Sequence, residues 1–147
     1  MRDMHITAEY PVKVLVTPGG AGSTALMNAL RPHVLKTHQR DTSIHPDSRV
    51  CYLMSDPYNM IVSFYKRGFF IEKGLDGRGN YGHVRHMQGD LKTMESKPQW
   101  SLEELLRLDN DPYFFEDHYD QWAASGVKTL RFVKYENLAD PKYLDSF

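Results

Sequence analysis

The sequence predicts a single α/β domain in which helices flank a parallel β-sheet. Its 147 residues suit one domain, and 41% of them are apolar, which is enough to form one hydrophobic core. Short β-branched, apolar segments alternate with segments of helical periodicity, as is typical of parallel sheets covered on both faces. A glycine-rich turn follows the first predicted strand, so we expect the chain to pass directly from that strand into a helix.

The first half of the chain supplies three strands and two helices. Residues 12–17 are apolar and β-branched and predict a buried strand, which the proline and glycines from residue 18 end. The next predicted elements are a helix over 23–30, a strand over 33–38, a strand over 49–54 and a helix over 57–67. Ser55 or Asp56 is expected to cap that last helix, because Pro57 suits its first position.

The second half is less regular. Residues 68–100 contain six glycines and little periodicity, and predict a long flexible loop or flap. Residues 101–104 have the pattern of a capping box and should open a short helix. Residues 111–125 predict a longer helix, 127–135 a fourth strand, and 136–147 a short final helix or tail.

Composition excludes several classes of function. The 18 basic and 19 acidic residues give a formal charge of -1, so nothing attracts nucleic acid or an anionic membrane over a long range. No apolar stretch approaches the ~20 residues of a membrane span, and no signal peptide is evident. A lone cysteine, Cys51, fits a reducing compartment. We expect a cytoplasmic protein without a membrane span or a nucleic-acid partner, and the sequence indicates no particular oligomeric state.

The segment from Thr17 to Thr24 has the composition of a phosphate-binding loop. Glycines let backbone N–H groups approach an anion, and the following helix N-terminus adds donors. The candidate binding residues are Gly19, Gly20, Ala21, Gly22, Ser23 and Thr24. An ordinary tight turn between strand and helix would have the same composition, so this alternative stays open. A phosphate loop makes the fold P-loop-type, but no lysine precedes Ser23 and a cation must come from elsewhere.

The second predicted strand ends with Lys36 and His38, which can supply a positive charge and a proton acceptor. Residues two apart in a strand project to the same side, so both side chains can face one site. Lys36 would provide positive charge, and His38 could accept a proton from a hydroxyl near neutral pH. A surface histidine in a turn is the alternative interpretation for His38.

Four segments in order resemble the sulfotransferases that use 3′-phosphoadenosine 5′-phosphosulfate. The loop ending Gly22-Ser23-Thr24 is similar to that family's P-x-S-G-T-T loop, and Lys36-Thr37-His38 to its K-T-H. Residues 52–65 are similar to its Y-L-x-R-N-P…V-S-Y-Y, and residues 114–138 to a helix followed by Y-E-D-L. The likeness covers about residues 12–67 and 113–141.

The resemblance implies a role for each matching position. Ser23, Thr24 and the Gly22 backbone would hold the 5′-phosphosulfate. Lys36 would contact the sulfuryl or bridging oxygens, and His38 would be the general base on the acceptor. The implied remaining donor contacts are Ser55 and Ser63 near the 3′-phosphate and Tyr135 near the adenine. The co-substrate would be 3′-phosphoadenosine 5′-phosphosulfate, the acceptor a small hydroxyl or amine compound, and residues 68–100 would lie on the acceptor side.

The sequence also departs from that family. The lysine of the family's loop is replaced by Gly20, the arginine for the 3′-phosphate by Ser55, and the C-terminal R-K-G segment has no counterpart. These losses favour an alternative, a non-catalytic module that binds a nucleotide phosphate. A triphosphate-using kinase relative ranks last, because the Gly-Lys-Ser/Thr step is absent. His83 and His86 have no partner in metal-ligand spacing, so we expect no metal.

Overall fold

The computed structural model describes residues 9–30, 34–70 and 81–140, and four strands within them form one parallel sheet. The strands are β1 (Lys13–Val16), β2 (Leu35–Thr37), β3 (Arg49–Met54) and β4 (Thr129–Lys134). Their spatial order is β2-β1-β3-β4, and each neighbouring pair is parallel. The expectation of one α/β domain with a parallel sheet is therefore confirmed.

Helices connect the strands and cover the sheet. They are α1 (Ser23–Leu30), α2 (Pro57–Lys66), α3 (Gly82–His86), α4 (Leu91–Met94), α5 (Leu102–Leu106) and α6 (Phe115–Ala123), with a 3₁₀ turn over Tyr135–Ala139 after β4. None of these helices has the length and apolarity needed to cross a membrane. The predicted final segment beyond residue 140 lies outside the described residues.

The hydrophobic core lies on both faces of the sheet. Leu15 of β1 packs on one face with Met60 and Phe64 of α2. Val14 and Val16, its neighbours in the strand, pack on the other face, where Trp122 of α6 is fully buried. This period of two follows from the pleat of a strand, and burial on both faces explains why residues 14–16 of β1 are all apolar.

Local sequence sets two of the helix starts as expected. Asp56 caps α2, its carboxylate accepting hydrogen bonds from the N–H groups of Tyr58 at 2.9 Å and Asn59 at 3.3 Å. Ser101 and Glu104 form the capping box of α5. Such caps satisfy N–H groups that the first helical turn leaves unpaired.

Residues 68–100 differ from the expected flexible loop. Their described part contains α3 and α4, and it buries Val84, Met87 and Met94 completely. Trp100 anchors its end, since its indole N–H donates to the carbonyl of Met94 at 2.9 Å. The apolar residues recur three apart within single helical turns, and these turns are too short for periodicity to outweigh the glycine content.

The helix predicted from residue 111 begins later, at Phe115. The carboxylate of Asp111 accepts hydrogen bonds from the N–H groups of Tyr113, at 3.0 Å, and of Phe115. Asp111 therefore forms a turn ahead of the helix. Phe114 then adopts the left-handed conformation, with φ of 53°, and α6 starts after it.

Candidate functional site

The sheet order defines one crevice for a ligand. From β1 the chain moves to β2 on one side, and β3 lies on the other side of β1. Ligands of open α/β sheets bind where the order reverses in this way, beyond the carboxyl ends of the strands. Thr17, His38 and Ser55 directly follow β1, β2 and β3. The three candidate segments therefore meet at the end of the sheet where the sequence analysis expected them.

The glycines of the loop are required by packing. Gly19 has φ of 96°, and a Cβ atom there would lie 2.0 Å from Nε2 of His83. Gly22 has φ of 67°, and a Cβ atom there would lie 2.2 Å from the ring of Tyr135. A larger residue would be strained and would collide at both positions. Because packing alone requires these glycines, their presence does not distinguish a phosphate-binding loop from an ordinary tight turn.

The start of α1 retains features of an anion site. Its first hydrogen bond runs from the N–H of Leu26 to the carbonyl of Gly22 at 3.5 Å, so the helix starts directly after the loop. The first turn contains no acidic residue. Ser23 is buried and Thr24 is exposed. The positive end of this helix dipole is therefore not neutralised from within the helix.

His38 is tied to the first residue of the loop. Its Nδ1 lies 2.7 Å from the carbonyl oxygen of Thr17, and the imidazole is 7% exposed. A carbonyl only accepts, so Nδ1 carries the hydrogen and the neutral ring has its lone pair on Nε2. The ring of His83 lies 4.8 Å from that of His38, measured between centroids. His38 is thus a core residue beside the loop rather than a surface histidine.

A buried network that the sequence analysis missed fixes the backbone of His38. Nε2 of His118 donates to the carbonyl of His38 at 3.1 Å, and Nδ1 of His118 accepts from the hydroxyl of Tyr52 at 2.7 Å. Burial lowers the pKa of His118 to about 4, so the ring is neutral at pH 7. The spacing of His118 from Trp122, four residues along one buried helix face, was the available signal.

The carboxylate of Glu136 occupies the position expected to meet a 3′-phosphate. It accepts hydrogen bonds from the hydroxyl of Ser55 and, at 3.3 Å, from the N–H of Asp56. The Ser55 hydrogen bond is the main cause that lowers the pKa of Glu136, so this group is ionised. Asp56 adds a second carboxylate at the start of α2. A phosphate contacting Ser55 would face both negative charges, which opposes the predicted contact.

The other candidate residues are placed as follows. Tyr135 lies against Gly22 and is 46% exposed, so its ring borders the loop at the end of β4. Lys36 is half-buried in β2 and pairs with Leu15 of β1. Ser63 is a half-buried residue of α2, and no contact links it to Ser55 in the described structure. Tyr135 is therefore the candidate donor contact that most clearly joins the loop.

A cavity of about 600 Å³ opens beyond the carboxyl end of β3. It reaches the loop at Pro18 and the strand end at Ser55, and α2, α5 and α6 contribute its walls. Its size suits a small organic ligand. Neither Lys36 nor His38 lines it, so the cavity adjoins the predicted transfer site without containing its candidate catalytic residues.

No group of three or more His, Cys, Asp or Glu residues in the described part of the chain could hold a metal ion. No family model matches the sequence, and no curated protein or solved structure is significantly similar to it. The assignment of a function therefore depends on the geometry of the site and on the residues that form it.

Proposed function

We propose that this chain is a P-loop-type sulfotransferase. It would move a sulfuryl group from 3′-phosphoadenosine 5′-phosphosulfate to a hydroxyl or amine of a small acceptor. The hydrogen bond between His38 and the carbonyl of Thr17 carries the proposal. It fixes the ring beside the loop with Nδ1 as the donor, so that a neutral ring has its lone pair on Nε2, as a general base requires.

In the proposed reaction, Nε2 of His38 accepts the proton as the acceptor oxygen or nitrogen forms a bond to sulfur. The bond from sulfur to the bridging oxygen of the donor breaks in line, and adenosine 3′,5′-bisphosphate leaves. Lys36 would stabilise the negative charge that develops on the bridging oxygen. The start of α1, with Ser23 and Thr24, would hold the 5′-phosphosulfate.

The carboxylate of Glu136, bound to the hydroxyl of Ser55, favours a second candidate function, a nucleotide-binding module without turnover. Glu136 already accepts the Ser55 hydrogen bond, and its charge opposes a 3′-phosphate there. The loop also lacks a lysine. Each missing charged contact would weaken donor binding by about 1.5–3 kcal/mol.

The test is transfer from radiolabelled donor to a panel of small aromatic hydroxyls and amines. We expect labelled product with the unaltered chain and none with His38→Ala. His45→Ala is the matched control, since His45 lies in the turn before β3 and away from the loop. Full activity in His38→Ala would exclude His38 as the base.

Binding separates the two candidates. Calorimetry with adenosine 3′,5′-bisphosphate should detect an interaction under either one, and only the transferase also gives product. Glu136→Gln should strengthen binding of the bisphosphate relative to adenosine 5′-phosphate if the 3′-phosphate approaches Ser55. An unchanged ratio would place the 3′-phosphate elsewhere, and no binding of either nucleotide would refute both candidates.

A further inference from the structure

The cavity beyond β3 combines apolar walls with charge of one sign. Aromatic rings of Tyr52, Phe70 and Phe115 contribute to its lining. The acidic side chains that line it are those of Asp111 and Glu116. The described residues that line it include no lysine, arginine or histidine. A phosphate or sulfate group would therefore be repelled, and the cavity suits a different ligand from the nucleotide.

The mouth of the cavity exposes apolar surface that a monomeric domain normally covers. Five large hydrophobic side chains are exposed in the described structure. Three of them, Tyr58, Leu106 and Tyr119, line this cavity. Such a concentration of exposed apolar groups at one opening marks a binding surface. Tyr58 is the most open of the three, at 65% exposure.

One buried polar group in the lining also lacks a partner. The hydroxyl of Tyr113 is buried, and no described atom forms a hydrogen bond with it. The ring packs against those of Phe64, at 4.9 Å, and Phe115, at 5.2 Å between centroids. Buried hydroxyls are nearly always hydrogen-bonded, so the side chain of Tyr113 is an exception in the wall of this cavity.

We propose that this cavity binds a small organic cation with an apolar or aromatic body, such as an aromatic amine. The rings provide the stacking surface and cation–π attraction, and the carboxylates of Asp111 and Glu116 provide the charge that selects an ammonium group. This inference does not depend on sulfuryl transfer. It follows from the walls, the exposed mouth and the sign of the charge.

Three probes with one aromatic body and different charges test the proposal. They are naphthylmethylamine, naphthylmethanol and naphthylacetate. Calorimetry should give affinities in the order amine, alcohol, acetate, with the amine about tenfold tighter than the acetate. Amide shifts in NMR titrations should concentrate on residues lining the cavity. Equal affinity for amine and acetate, or no binding of any probe, would overturn the proposal.

Substitutions then show whether the preference for the amine comes from the cavity charge or from a general change in the fold. Glu116→Gln should reduce the preference for the amine several-fold and leave the affinity for the alcohol unchanged. Leu106→Arg, at the exposed mouth, should reverse the preference toward the acetate. Glu95→Gln is the matched control, since Glu95 pairs with Arg85 away from the cavity. An amine preference that survives both cavity substitutions, or that Glu95→Gln removes equally, would refute the assignment.

Discussion

Acidification should destabilise this protein through His118. The imidazole is fully buried, donates to the carbonyl of His38 and accepts from the hydroxyl of Tyr52. Burial is the main cause that lowers its pKa from 6.5 to about 4, while Arg40 lowers it slightly and Asp117 raises it. In the unfolded chain the same ring binds a proton near its ordinary pKa. The unfolded state therefore gains protons first as the pH falls, and folding stability falls with it.

The size of the effect follows from the difference between the two pKa values. Each unit of difference corresponds to about 1.4 kcal/mol, so His118 contributes a loss of roughly 3 kcal/mol once the pH is below both values. Most of that loss, about 2 kcal/mol, should occur between pH 7 and pH 4.5. Above the ordinary pKa the penalty is absent, because the ring is then neutral in both states.

Urea unfolding followed by tryptophan fluorescence measures this effect directly. The comparison is with His118→Gln, whose amide can donate to the carbonyl of His38 but does not titrate. The difference in the free energy of unfolding between the two proteins should change by about 2 kcal/mol from pH 7 to pH 4.5. His45→Gln removes a histidine on a turn and should follow the unaltered protein. Parallel pH curves for His118→Gln and the unaltered chain would show that the buried ring is not the source.

Four further predictions concern stability. Gly126→Ala should cost about 1 kcal/mol of unfolding free energy, since φ is 73° with no atom within 4 Å of a new Cβ. Gly22→Ala should cost roughly 2 kcal/mol more, because its Cβ meets the ring of Tyr135; Tyr135→Ala should remove that excess. Trp122→Ala should cost about 4 kcal/mol by leaving a cavity and an unpaired carbonyl. Ser101→Ala should cost about 1 kcal/mol through loss of the α5 cap. Chemical denaturation measures each value, and equal costs at the two glycines would contradict the ring contact.

The sheet could be predicted from the sequence because its signals are local. Residues 50–54 of β3 form an apolar run, and the Asp56-Pro57 pair at the start of α2 fixes that helix start within two residues. The glycine turn likewise places the loop between β1 and α1. Each of these signals lies inside the element it predicts, so no tertiary contact is needed to interpret it.

The site was harder to predict because its contacts join distant residues. Ser55 and Glu136 are 81 residues apart, and no sequence pattern near Ser55 indicates that a carboxylate will accept its hydrogen bond. His38 and His118 are 80 residues apart, and a lone histidine on a helix carries no local sign of its partner. The helices within residues 81–100 were missed for a different reason, because each of them is about a single turn and too short to show helical periodicity.

The parallel pairing of β3 with β4 also affects how the protein folds while it is being synthesised. Tyr52 pairs with Phe132, so one side of β3 has no partner until the last described strand has been synthesised. At about 5–20 residues per second, a ribosome leaves this hydrogen-bonding side open for several seconds. Loops this long also slow the closing of the sheet after release. A chaperone that shields β3 during this interval would be expected to raise the yield of folded protein without binding the folded protein.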